Sequence, residues 1–166
     1  MENITRKNWK EKLPENEEKI IIQYILTLYN LIQEYKDDKN IETNLVHDVR
    51  QITKTIGLRK YLKISLEAEK ILGTDIGLKG IERTRRINEN KGLTIVEHKN
   101  TVHTLYNEIK NAKTFTKKEA KKWFDKAVIA IITNEENKKL KDNKWDKIRP
   151  DDAYEQLGIK LKDVWK

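Results

Sequence analysis

The chain has 166 residues, with 35 Lys and Arg against 27 Asp and Glu and a formal net charge of +8, which makes it a basic chain of one domain's length. Apolar and charged residues each account for 37%; that supports a single modest core, excludes two large ones, and lies outside the composition of a disordered chain. The absence of cysteine excludes a disulfide scaffold, a thiolate metal site and a cysteine nucleophile.

Residues 1–12 are polar and mixed in charge, without the apolar segment of a signal peptide, so a cytoplasmic location is expected. Pro14 followed by Glu15, Glu17 and Glu18 predicts a helix start, and the apolar run from Ile20 to Tyr35 continues the helix to about Lys36. That run is too short and too often interrupted to span a membrane. Leu45, Val49, Ile52 and Ile56 recur at helical spacing and predict a helix stopped by Gly57. Leu58, Leu62, Leu66 and Ile71 predict a third helix ended by Gly73. Residues 15–73 thus read as a three-helix unit. A turn over 74–80 leads into a polar helix over about 79–90.

Leu93–Val96 is a short β-branched run ending at Glu97-His98, and Ala127–Ile132 is a second that reads either as its strand partner or as a buried helix end. Between them Val102, Leu105, Tyr106 and Ile109 share one helical face. Thr116 with Glu119 and Thr133 with Glu136 are capping-box pairs that predict two further helix starts. Pro150 opens and Gly158 closes a last short helix. The expected fold is mainly α and a single domain over 1–166. An N-terminal helical bundle (1–78) is joined to a basic helical half (79–166) with at most a small two-stranded β element.

Charge is unevenly placed. Residues 1–78 carry 13 basic and 13 acidic side chains, and residues 79–166 carry 22 and 14, so the second half holds the whole excess. It falls in three runs, 79–91, 110–126 and 138–149. Lys79, Arg83 and Arg86 share one helical face, and Arg85 stands beside them. The guanidinium fork suits phosphate, as do the point charges of Lys117, Lys118, Lys121, Lys122 and Lys126. Trp123, Phe124 and Trp145 among these lysines suit either base stacking or, more simply, the core. The three histidines are His47, His98 and His103. The spacing of His98 and His103 does not match the i, i+4 pair that puts two helical ligands on one metal. Glu97-His98 at a strand end suits a general base with a carboxylate beside it.

Leu93-Thr94-Ile95-Val96-Glu97-His98, the segment Ile131-Ile132-Thr133-Asn134-Glu135-Glu136-Asn137-Lys138-Lys139-Leu140, and Arg149-Pro150-Asp151-Asp152-Ala153-Tyr154 with Gly158-Ile159 together resemble small bacterial and mobile-element proteins related to HNH (ββα-metal) nucleases. The resemblance covers the C-terminal part only. It implies His98 as general base, Glu97 as its neighbour, and His98 with Asn137 as ligands of a divalent cation, Mg or Mn. No phosphate-cradling glycine motif and no Gly-x-Ser-x-Gly elbow occur, and Ser65 is the only serine.

The leading expectation is binding to nucleic acid or to a nucleoprotein complex, in the style of a phage or mobile-element product acting in defence or counter-defence. The alternatives are a metal-dependent HNH-like endonuclease using His98, and an interaction protein that masks an acidic protein surface. No membrane partner is expected.

Overall fold

In a computed structural model the chain is described over residues 14–74 and 80–164. Helix α1 (Glu15–Tyr35) follows Pro14, carries its three glutamates in the first turn and buries Ile21, Ile22, Ile25, Leu28 and Ile32. Helix α2 (Lys39–Arg59) is capped by the Asp38 side chain, which accepts from the Asn40 and Ile41 amides. It does not stop at Gly57. That glycine lies inside the helix where a Cβ would overlap the Ile129 side chain and the Ala127 carbonyl. The residue is there for the close approach of α2 to a strand, not for a cap.

The expected third helix divides into β1 (Leu62–Ser65) and α3 (Leu66–Leu72), the latter capped by Ser65. Then follow α4 (Gly80–Glu89), β2 (Thr94–His98), α5 (Val102–Asn111), α6 (Lys117–Asp125), β3 (Ile129–Thr133), α7 (Asn134–Asp142), α8 (Ala153–Gln156) and β4 (Leu161–Asp163). Both capping boxes form, at Thr116–Glu119 and Thr133–Glu136.

The four strands make one mixed sheet in the order β2-β3-β1-β4. β2 runs antiparallel to β3, β3 parallel to β1, and β1 antiparallel to β4. The expectation of at most a two-stranded element is therefore overturned. The β2–β3 ribbon is present, but it is half of a larger sheet. The missed strands have a physical cause. Leu58, Leu62 and Leu66 are spaced by four and imitate a helix face, whereas the burial of Leu62 and Ile64 has the period of a strand. β4 has three residues, none of them buried, too few to display a period at all.

Strand β3 is buried on both sides. Ile129 and Ile131 pack with Leu62, Ile64, Ala68 and Leu72 on one face; Ala130 and Ile132 pack with Leu140, Tyr154 and Ile159 on the other. A separate helical layer joins α1, α2, α5 and α6 through Leu28, Ile32, Val49, Ile56, Leu105, Ile109 and Phe124. Trp123 belongs to this layer, only 2% exposed, with its indole N–H donating to the Leu105 carbonyl at 2.9 Å. Its ring and that of Phe124 are core material.

After α7 the chain reverses at Lys144, in the left-handed region at φ 59°, and the Trp145 N–H closes the turn on the Leu140 carbonyl at 3.0 Å. The segment that follows returns to the end of β2, where the Thr101 hydroxyl donates to the Lys147 carbonyl and Arg149 reaches the His98 carbonyl at 2.8 Å. Among the described residues no helix is long and apolar enough to cross a membrane.

Candidate functional site

The three basic runs settle on different layers. Helix α4 packs Ile87 against the sheet face under α3, and α7 packs Leu140 against the opposite face. Helix α6 lies on the helical layer against α1. Lys79 lies outside the described residues.

Within α4, Arg83 is 3% exposed and donates to the Leu58 carbonyl near the end of α2 at 3.4 Å. Arg86 donates to the Leu72 carbonyl at the end of α3 at 2.9 Å. Both satisfy carbonyls that a helix C-terminus leaves without intrahelical partners. Arg85 is exposed and faces Glu89 at 3.7 Å.

Helix α6 divides its lysines. Lys121 is held by Glu18 at 2.9 Å and Asp125 at 2.6 Å. Burial opposes its charge, but these two carboxylates outweigh that and raise its pKa. Lys126 is held by Glu108 at 2.9 Å. Lys117, Lys118 and Lys122 are exposed and make no ion pair among the described residues, and the same holds for Lys138, Lys139, Lys141, Lys144 and Lys147.

Glu97 and His98 sit together at the end of β2 with Arg149 behind them. The Arg149 side chain is 2% exposed. It donates to the Trp145 carbonyl at 3.0 Å, the His98 carbonyl at 2.8 Å and the Tyr154 hydroxyl at 2.8 Å, and it meets the Glu97 carboxylate at 3.5 Å. Glu97 thus has its counter-ion inside the protein. Burial raises the Tyr154 hydroxyl to about 12, so it stays protonated beside this pair.

The His98 ring is mostly buried. Its Nε2 is closed to solvent and has no partner in hydrogen-bond geometry, although the Arg50 backbone is near enough to favour the charged ring slightly. Burial first, then the charges of Arg50, Lys54 and Arg149, push its pKa down to about 4. The imidazole is therefore neutral at physiological pH.

Asn137 is buried on α7 and approaches from the other end of the ribbon. Thr94 pairs with Thr133, where α7 begins, while His98 pairs with Ile129. The two ends are four residues apart, about 13 Å along a strand. The residue of the α7–Arg149 segment that shares a cavity with His98 is Asp146. Among the described residues no three His, Cys, Asp or Glu side chains are placed to share a metal ion. Asn137 is not among the residues that line the cavity at His98.

The cavity at His98 has a volume of about 400 Å³ and lies between the end of β2, the start of α5 and the Arg50–Lys54 stretch of α2. A second cavity of about 460 Å³ continues along α2 and α5 past His47, Glu42 and Tyr106. Arg50 and His103 line both, so the two form one groove, and all three histidines of the chain border it. Their sequence spacing concealed this. His98 and His103 line one cavity because the chain turns at Lys99–Thr101 between β2 and α5, and His47 is brought in by the packing of α2 on α5. Arg50, Lys54 and Asp146 carried no local signal either.

No protein-family model, curated protein or solved structure matches this chain.

Proposed function

We propose that the protein binds nucleic acid through charge on its exposed lysines. The observation that carries this reading is the set of lysines on α6 (Lys117, Lys118, Lys122) and, on another layer, on the α7–Arg149 segment (Lys138, Lys139, Lys141, Lys144, Lys147), all exposed and without an ion pair among the described residues. They belong to the half with 22 basic against 14 acidic residues. Such cations release counterions when they meet phosphates, which gives affinity without sequence specificity. The arginines of α4 contribute less to this reading, because Arg83 and Arg86 are engaged with backbone carbonyls. A nuclease at His98 finds less support, since Glu97 is held by Arg149 and Asn137 stands away from the cavity.

The test is the salt dependence of binding to labelled DNA. Log affinity should fall linearly with log salt, by about 0.9 per phosphate neutralised on a duplex and about 0.7 on a single strand. Replacing Lys117, Lys118 and Lys122 together by alanine should flatten the slope by about 2 units or more. An affinity insensitive to salt would overturn the reading, and binding only to an acidic protein would replace it.

A further inference from the structure

The groove between α2 and α5 takes one wall from α2, in the charge-balanced half, and the other from the β2–α5 region and Asp146, in the basic half. Its two cavities, about 400 and 460 Å³, are each of ligand-binding size. From Glu42 to Lys54 it follows thirteen residues of α2, about 18 Å over twelve steps of 1.5 Å. That length accommodates several phosphates at the strand spacing of about 3.4 Å. Cavities of about 400 and 460 Å³ can take in part of a single strand but not a duplex.

Its lining is donor-rich and its carboxylates are largely compensated. Glu42 is paired with Lys110 at 2.7 Å and Glu97 with Arg149, which leaves Asp146 as the one acidic lining residue without an ion pair among the described residues. Against it stand Arg50 and Lys54, one helical turn apart on the same face of α2. Arg50 is exposed, and its guanidinium has no hydrogen bond or ion pair among the described residues. The walls also hold two buried polar side chains, Tyr106 and His98. The Tyr106 hydroxyl, on a residue only 2% exposed, has the Glu42 carboxylate nearby but no partner in hydrogen-bond geometry, and His98 Nε2 has none either. Their nearest polar neighbours are Glu42 and the Arg50 backbone, so both groups face the α2 wall of the groove. The depression of His98 by Arg50, Lys54 and Arg149 registers a positive potential at the closed end. That end adjoins the exposed Lys147 through the Thr101–Lys147 hydrogen bond, so the groove leads directly to the lysines of the α7–Arg149 segment.

We infer that the α2–α5 groove holds the phosphodiester backbone of a single nucleic-acid strand, with Arg50 gripping a phosphate at the junction of the two cavities. This rests on the nucleic-acid reading above and gives it a site. The guanidinium fork suits a phosphate in two places; Lys54 adds to the positive potential there, and the ring nitrogens of His47 and His103 offer further hydrogen-bonding groups.

The test is binding of the full chain to a labelled single-stranded thymidine oligonucleotide, measured by anisotropy across salt. Arg50→Glu, at an exposed position where folding should be unaffected and is checked by thermal melting, should weaken binding by about tenfold or more and reduce the log–log slope by about 0.7. Arg50→Lys, which keeps the charge and loses the fork, should keep the salt slope and weaken binding less than Arg50→Glu, and a duplex of the same length should be insensitive to Arg50→Glu. Ring resonances of His47, His98 and His103 should shift together on titration with the oligonucleotide. If Arg50→Glu binds like the wild type while the Lys117, Lys118 and Lys122 triple variant is weakened, the groove is wrong and the lysine reading stands. If the wild type shows no salt-sensitive binding to either form of DNA, both fall together.

Discussion

Helices α4 and α6 carry comparably dense clusters of cations and place them in opposite ways. On α4 two of the three arginines turn inward, Arg83 buried against the Leu58 carbonyl and Arg86 tied to the Leu72 carbonyl, at the ends of two other helices, while Arg85 stays exposed beside Glu89. On α6 the lysines turn outward or to surface carboxylates, and Lys117, Lys118 and Lys122 stay in solvent. Arg149 follows the pattern of α4, with three hydrogen bonds and an ion pair inside the protein. A guanidinium offers five donors in a fixed fork and can satisfy several buried acceptors at once, whereas an ammonium is strongly hydrated and resists burial. A run of basic residues is therefore not by itself a binding surface. Its arginines are at least as apt to be structural.

Removing the most deeply engaged arginine should have the largest effect. Arg149→Ala would leave the His98 and Trp145 carbonyls and the Tyr154 hydroxyl without their donor and Glu97 without its counter-ion, at a cost of about 3 kcal/mol. Chemical denaturation should show this as a lower midpoint with an unchanged slope, and an unchanged midpoint would break the contrast with α6. Next comes the neutral histidine among cations. The folded pKa of His98, about 4, lies below its unfolded value of about 6.5. The unfolded state therefore binds the extra proton, and stability falls as pH drops from about 6.5 toward 4. About 2 kcal/mol should be lost between pH 7 and pH 5. A His98→Gln variant should lack that portion of the decline; if its profile follows the wild type, the cationic setting of His98 is wrong. The smallest effects give the most direct comparison. Arg83→Ala should cost about 1–2 kcal/mol, while Lys122→Ala should stay within about 0.5 kcal/mol. Equal values in paired thermal melts would erase the distinction between the two helices.

Where structure depends on neighbours in sequence, the chain is legible. The capping boxes at Thr116 and Thr133 each fix a helix start because the cap and its N3 partner are three residues apart. The β-branched runs at β2 and β3 are strands and pair as an antiparallel ribbon. Gly57 was misread because a glycine after an amphipathic stretch looks like a C-cap, and its reason lies at Ile129, far away in sequence. Strand β1 was misread for the same kind of reason. Its parallel pairing with β3 joins Leu62 to Ile129, and a four-residue strand cannot announce so distant a partner. At the candidate site, Glu97-His98 was visible as a dipeptide at a strand end. The groove was not, because it is assembled from α2, the β2–α5 turn and a returning loop that share no sequence spacing.

The sequence by itself determined the two capping boxes, the β-branched character of the β2 and β3 runs, the lack of cysteine chemistry and the location of the net charge in residues 79–166, all of which follow from composition or from contacts a few residues long. Only the tertiary structure decided that the sheet has four strands, that Arg83 and Arg149 are buried while Lys117 and Lys122 are not, and that His47, His98 and His103 border one groove. Those outcomes hang on which distant surface covers a given side chain. Burial and desolvation are set by that surface, and a linear pattern of charge carries no record of it.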